Sequence, residues 1–173
     1  MKNLTNSLFL ILFFVTTLSF SQTYENEKSE DQKTGEAQLV TPEVFKSLGI
    51  DNSVNPKNAT LTNNSVFVRQ VGDSNKATIS VNTNASEINL NQNGIQNEAD
   101  LDYTANTVVA NLHQNGNYNF IKDFVYDPTA DASLELTQEG GNYFERFGTN
   151  EMTKSLKFRQ TENSPGIIIR SYQ

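Results

Sequence analysis

The sequence predicts an all-β fold, a β-solenoid of about five stacked strand-turn-strand repeats with a period of about 22 residues. Three observations favour it. Glutamines recur at spacings of 22, 22, 24 and 22 residues, at Gln70, Gln92, Gln114, Gln138 and Gln160. Apolar residues stand two and four positions before each glutamine, which is the period of a strand with one buried face. Glycine and asparagine follow at fixed distances, and such self-similarity is typical of a stacked solenoid.

Two further columns of residues define the turn in each repeat. The glycine column is interrupted by Glu162 in the fifth repeat and otherwise comprises Gly72, Gly94, Gly116 and Gly140. The asparagine column comprises Asn75, Asn97 and Asn119, whereas Asn142 lies one position early and Pro165 takes the fifth slot. Alternation resumes after each turn, so each unit reads as strand, tight turn and strand. The repeats span about 65–85, 86–107, 108–131, 132–153 and 154–173.

The glutamines share the parity of the buried apolar residues, so they are predicted to point inward. A buried amide without partners costs several kcal/mol. In a stack of rungs about 4.8 Å apart, each amide N–H can donate to the side-chain oxygen of the next rung. Asparagine can do the same, and glycine permits the positive φ of a tight corner. The three columns therefore predict a structural ladder that forms only when like rungs stack in register.

The pattern Gln-x-Gly-x-x-Asn-x-Ala, clearest in the stretch SEINLNQNGIQNEADL that begins at Ser86, resembles the curlin repeat. The resemblance covers roughly Ser65–Tyr172. It implies an amyloid-like solenoid and a subunit of curli, the extracellular amyloid fibres (a type of fimbrium or pilus) of Gram-negative bacteria that act in cell adhesion and the biofilm matrix. It also implies export through curli-type outer-membrane machinery, and assembly at the cell surface with itself or with a major curlin subunit.

The chain departs from the family pattern in ways that bear on its role. The slots in which the family usually has a second glutamine hold Val81, Tyr103 and Val125. The last segment of the chain is basic: residues 151–173 carry a net charge of about +2, from Lys154, Lys157, Arg159 and Arg170 against two glutamates. In the family, the minor subunit, which nucleates and anchors fibres, tends to have a divergent basic last repeat. The resemblance therefore implies a nucleator-like role with an anchoring patch, and ordinary surface charge is the alternative.

The N-terminal region is predicted to lie outside the repeats. Residues 1–21 form a predicted signal peptide, with an apolar core at Leu8–Val15 and small residues at Ser19 and Ser21. Residues 22–64 form a polar leader with a short helix over 42–48, because Pro42 suits the first turn. That segment is interpreted as a cap, an export-recognition segment or a linker. The mature chain is expected to be secreted and to have no integral membrane segment.

Composition argues against several function classes. The 173 residues include no cysteine and a single histidine, and the net charge is −7, which makes nucleic acid an unsuitable partner. His113 has outward parity and no catalytic set surrounds it. The acidic residues near corners lack a calcium-binding repeat: Asp100, Asp102, Asp123, Asp127 and Asp131. We therefore expect no enzymatic activity, no catalytic or metal-ligating residue and no cofactor.

Two hypotheses remain, and they differ on the ends of the solenoid. In the first, the chain polymerises: the first repeat, which is regular and lacks proline, is the growing face, and the fifth, with Pro165 and its charges, is a blocked or anchoring end. In the second, the chain is a soluble, capped β-solenoid that binds a surface protein or a carbohydrate. The second hypothesis is favoured if segment 40–50 folds over the edge that carries Gln70.

Overall fold

The computed structural model describes residues 41–172, and almost all of its regular structure is β. The elements are a helix α1, a short 3-10 helix and eight strands, with these bounds: α1 Pro42–Ser47, 3-10 helix Pro56–Thr60, β1 Asn64–Asp73, β2 Asn82–Ile95, β3 Glu98–Ala99, β4 Tyr103–Asn115, β5 Phe120–Glu139, β6 Tyr143–Phe147, β7 Ser155–Gln160 and β8 Ile167–Arg170. The predicted signal peptide, residues 1–21, and residues 22–40 of the predicted leader lie outside the described residues.

The strands form two parallel sheets that are wound as a solenoid, so the predicted fold class is confirmed. Sheet A consists of β1, β2, β4, the second half of β5, and β7. Sheet B consists of a bridge at Lys76, then β3, the first half of β5, β6 and β8. Each turn of the solenoid, called a rung here, contributes one segment to each sheet. Residues 41–172 contain five rungs, numbered here from the N-terminal side.

Register along the stack follows the sequence repeat. Gln70 pairs with Gln92, Gln92 with Gln114, Gln114 with Gln138, and Gln138 with Gln160. The 24-residue step is accommodated by a bulge, where Ala105 and Thr107 face Asp127 and Asp131. The two extra residues thus lie at a corner, and the ladder beyond them remains in register.

The interior is filled by the residues that alternate with the outward polar positions. The apolar residues before each glutamine are fully buried in rungs 2 to 4, among them Ile88, Leu90, Leu112, Leu134 and Leu136. Outside, aromatic rings stack from rung to rung: the centroids of Phe120 and Tyr143 are 4.7 Å apart, and those of Phe124 and Phe147 are 4.8 Å apart. These distances match the spacing of strands within a sheet.

Residues 41–63 begin at the fifth rung and run back along sheet A to the first. Phe45 of α1 is buried in the apolar core. Downstream, Asn55 donates to Glu135 at 2.9 Å, and Asn58 donates to the carbonyl oxygen of Ala132 at 3.0 Å. Lys57 then forms an ion pair with Glu87 of the second rung. The segment is therefore a strap along the solenoid. Within the described range 41–172, no helix has the length and apolarity needed to cross a bilayer.

Candidate assembly site

The five glutamines form one hydrogen-bonded ladder through the interior. The Nε2 of Gln70 donates to the Oε1 of Gln92 at 2.6 Å, and the next three steps measure 2.7, 3.0 and 3.0 Å and end at Gln160. Gln92, Gln114, Gln138 and Gln160 are buried. Each amide thus compensates for the loss of water contacts by bonding to its neighbours in the stack.

The glutamine ladder has a direction, and backbone carbonyls across the interior determine it. The Nε2 of Gln92 also donates to the oxygen of Lys76 at 2.7 Å, and Gln114 and Gln138 make the equivalent bonds to Glu98 and Phe120. A flipped amide would place two acceptor oxygens against each other. Every N–H therefore points toward the fifth rung, and the oxygens point toward the first.

The asparagine ladder runs the opposite way at the turns. The Oδ1 of Asn75 accepts the backbone N–H of Asn97 at 3.0 Å, and the Oδ1 of Asn97 accepts that of Asn119 at 3.1 Å. Asn142 continues the column by donating its backbone N–H to Asn119 at 3.1 Å. Although Asn142 lies one position early in the sequence, rung 4 has a shorter turn, which brings this residue into register with the column.

The glycine column is required by close backbone approach. Gly72 and Gly94 have φ of +112° and +133°. A Cβ on Gly72 would lie 1.9 Å from the carbonyl oxygen of Gly94, and a Cβ on Gly94 would lie 1.9 Å from that of Gly116. Gly116 and Gly140 also have positive φ. A rung that carries any other residue in this slot cannot stack on the next one in the same geometry.

The first-rung end of the solenoid is open. Val66 and Val68 point inward, yet they are 49% and 41% exposed, whereas their partners Ile88 and Leu90 in the second rung are 0% exposed. With Gln70 and three residues after the turn, Ala77, Ile79 and Val81, they line a shallow depression. Among the described strands β1 pairs only with β2, so its other edge keeps free backbone groups.

The fifth-rung end is covered on the sheet A side. Leu156 and Phe158 are only 1% and 8% exposed, although they belong to the last rung. Phe45 and Ile50 join them in one buried apolar cluster. Asp51 forms an antiparallel bridge with Lys157, with backbone N–O distances of 2.9 and 2.7 Å, at the outer edge of β7. Residues 41–50 therefore lie at the end opposite the edge that carries Gln70.

The comparison with protein families agrees with this geometry. Residues 62–94 match the family described as curlin associated repeat. This chain carries a curlin repeat. The match spans β1 and most of β2, and includes both Gln70–Gly72 and Gln92–Gly94. No curated protein and no solved structure matches the chain. The curlin repeat and the solenoid fold together support a curli-like structural subunit, since the family is one of structural amyloid subunits and not of enzymes.

A buried charged cluster also lies inside the solenoid, and sequence reasoning missed it. Arg146 and Asp123 are both fully buried, and the Nε and Nη2 of the guanidinium donate to the two carboxylate oxygens at 2.5 and 2.8 Å. Tyr103 donates its hydroxyl to the same carboxylate. Arg146 also donates to the carbonyl oxygen of Thr153 at 2.8 Å. Asp123, expected near a corner, is thus an interior residue.

The electrostatics of this cluster keep the guanidinium of Arg146 charged and the hydroxyl of Tyr103 protonated. Burial would lower the pKa of Arg146, but the charge and hydrogen bonds of Asp123, together with Tyr103, outweigh it and the pKa is raised. Burial, with the help of Asp123, raises the pKa of Tyr103 well above its usual value, so its hydroxyl stays a donor. The signal was present in the sequence: Asp123 has the inward parity of Ile121 and Val125, and Arg146 occupies the same slot one repeat later.

The four basic residues of the predicted anchoring patch are mostly paired. Lys154 forms an ion pair with Glu151, Lys157 with Glu135, and Arg159 with Glu139. Arg170 lies at the end of β8 and is exposed. The pairs lower the net positive charge of this surface, and an anchoring role remains a proposal.

The ladder yields a first prediction. We expect Gln114→Ala to lower the free energy of unfolding by about 2–4 kcal/mol, because it leaves a cavity and removes a partner from the amides of the adjacent rungs. The matched control is His113→Ala, which alters the exposed neighbour and should change stability by less than about 0.5 kcal/mol. Urea denaturation of both variants measures the difference. Equal stabilities would show that the ladder contributes nothing.

Proposed function

We propose that this chain is an exported structural subunit of an extracellular curli-like functional amyloid fibre, and that it acts by templated β-strand addition. The observation that carries the proposal is the open first rung, where Val66 and Val68 are inward-facing but exposed and β1 has one unpaired edge. A preceding rung would bury these side chains and pair these backbone groups, just as the second rung is buried by the first.

The energetics favour growth on an existing edge over spontaneous nucleation. Each new backbone hydrogen bond contributes about 1 kcal/mol net, and each newly buried apolar side chain adds about 1.5–3 kcal/mol. Ordering the incoming chain opposes this by about 1–2 kcal/mol per residue of backbone. These contributions nearly cancel for an unfolded monomer, which makes nucleation slow. A folded edge such as β1 removes that step.

Within this proposal, the chain is a minor, nucleating subunit. The divergence of its last rung, with Glu162 and Pro165 in the glycine and asparagine slots, supports that role over that of a major subunit. The fibre would serve cell adhesion and the biofilm matrix, and the basic residues Lys154, Lys157, Arg159 and Arg170 would contribute to anchoring. Residues 1–21 would direct secretion, residues 22–64 would form the leader, and curli-type outer-membrane machinery would export the chain.

Seeding kinetics test the proposal. The probe is a synthetic chain of five copies of residues 86–107, whose rungs all carry Gln-x-Gly-x-x-Asn. Folded, purified protein at about one part in a hundred should shorten the thioflavin-T lag of this probe several-fold, because β1 supplies the edge. Val68→Lys should abolish seeding, since it places a charge in the new interface. Phe67→Lys, on the outward face of the same strand, should seed as the unmodified protein does.

A protein that neither forms cross-β fibres nor shortens the lag would contradict the proposal. It would favour the second candidate, a capped binding module for a surface protein or a carbohydrate. One observation supports that candidate: Tyr143 and Phe147 are partly exposed and stack on Phe120 and Phe124 on the outer face of sheet B. Aromatic surfaces of this kind suit the apolar faces of sugar rings.

A further inference from the structure

We infer that the chain is a one-ended subunit: its first rung binds the uncapped last rung of a different curlin-repeat chain, and its own fifth rung is closed to addition. The inference rests on the proposed function and adds the direction of assembly and the chemistry of the partner. Three observations support it: the direction of the hydrogen bonds in the glutamine and asparagine ladders, the need for glycine at one position of each turn, and the strap that covers the fifth rung.

The glutamine ladder requires a donor from the partner. The Nε2 of Gln70 is used by Gln92, and among the described residues no group donates to the Oε1 of Gln70. An incoming rung must therefore present an amide N–H, as the last rung of a parallel stack does. Two first rungs placed face to face would bring two amide oxygens together. Flipping either Gln70 would break its bond to Gln92.

The other two columns require glycine and asparagine in the partner. A rung added before rung 1 would stack on it with the same geometry that rung 1 has on rung 2. Its turn must then have glycine, because a Cβ there would overlap the backbone as it would at Gly72. It must also have asparagine, to accept the backbone N–H of Asn75 as Asn75 accepts that of Asn97. A rung with all three columns intact meets these requirements.

The fifth rung of this chain meets none of them. Glu162 occupies the glycine slot and Pro165 the asparagine slot. The Nε2 of Gln160 donates to the carbonyl oxygen of Pro165 at 3.1 Å, so the amide that would continue the ladder is already bound. A second copy of this chain is thus a poor partner for the first rung, and the partner is a different chain.

The strap closes the same end. Phe45 and Ile50 bury the last interior layer, and Asp51 takes the backbone N–H and C=O of Lys157 that a sixth rung would use. Ser155 also donates to the carbonyl oxygen of Ser53 at 2.5 Å. On the sheet B side β8 pairs only with β6 among the described strands. A new rung needs both sheets, so closing sheet A is enough to prevent addition.

A gain-of-function variant tests this directly. Gln160–Ile167 has the same length as Gln114–Ile121, so Glu162→Gly and Pro165→Asn restore Gln-x-Gly-x-x-Asn without an insertion. Combined with Phe45→Asp, which removes the apolar anchor of the strap, they should let the full chain elongate by itself, followed by thioflavin-T and electron microscopy. The unmodified protein should seed the probe of five copies of residues 86–107 but should not elongate alone. Phe45→Asp alone should not elongate either.

A second measurement does not depend on any variant. Gold-labelled unmodified protein, mixed with the probe, should be found at one end of each fibre and nowhere along its length. Label along the fibre, or long fibres of the unmodified protein alone, would overturn the inference and leave the proposed function intact. Failure of the unmodified protein to seed or join any fibre would instead overturn the proposed function.

Discussion

Replacing Arg146 by alanine is expected to lower the free energy of unfolding by about 3–5 kcal/mol. The guanidinium makes two bonds to Asp123 and further bonds to backbone carbonyls, and all of these groups lie inside the solenoid. Its removal leaves the carboxylate of Asp123 buried with Tyr103 as its remaining partner and orphans the carbonyl oxygen of Thr153. A buried charge without its counter-ion is among the most costly defects in a protein interior.

Two variants distinguish the loss of the buried ion pair from the effect of removing any arginine side chain. Arg159→Ala removes an exposed ion pair with Glu139 in the same part of the chain and should cost no more than about 1 kcal/mol. The double variant Asp123→Leu with Arg146→Met should recover much of the lost stability, since buried ion pairs can often be replaced by apolar residues. Urea denaturation provides the comparison. If Arg146→Ala costs no more than Arg159→Ala, the buried pair does not stabilise the rungs.

The second large effect is expected at the turn of rung 2. Gly94→Ala should lower the free energy of unfolding by more than about 3 kcal/mol, since a backbone strain of about 1–3 kcal/mol is added to a steric overlap. The φ of Gly94 is +133°, and the new Cβ would lie 1.9 Å from the carbonyl oxygen of Gly116. The overlap is with backbone, so it can be relieved only if the two rungs separate at this corner.

The matched control for this prediction is Gly141→Ala. The nearest atom that its Cβ would meet is the carbonyl oxygen of Asn117 at 3.5 Å, an ordinary contact, and its φ is not in the positive range. Thermal and urea unfolding of both variants should show a large loss for Gly94→Ala and little change for Gly141→Ala. Similar losses would mean that the glycine column reflects general turn flexibility and not the close approach of stacked rungs.

The stacked architecture could be predicted from sequence because two independent periods coincide. A two-residue alternation assigns the inward face, and a 22-residue step brings Gln70 over Gln92, so each signal restrains the other. The buried pair of Asp123 and Arg146 was missed, because single charged residues were judged by their nearness to corners. Reading their inward parity across consecutive repeats would have found it.

The position of the strap could not be read from the sequence. Phe45 and Ile50 form a short apolar patch that either end of a solenoid could bury, and nothing local selects one. The choice depends on a long-range fit, in which Asp51 meets Lys157 and residues 52–63 are long enough to return to β1. Such a fit depends on the shape of the assembled rungs. Composition and periodicity therefore do not predict which end of the solenoid this short segment packs against.

Amide hydrogen exchange at the two ends of the solenoid tests the central claim, templated addition at the first rung. The protein is incubated with growing fibres of the five-copy probe, and exchange is compared in β1, residues 64–73, and β7, residues 155–160. We predict that the β1 amides unpaired in the free protein become protected, as new backbone hydrogen bonds form, while β7 exchanges as before. Protection that arises at β7, or a β1 that exchanges equally in free and fibre-bound protein, would contradict the account.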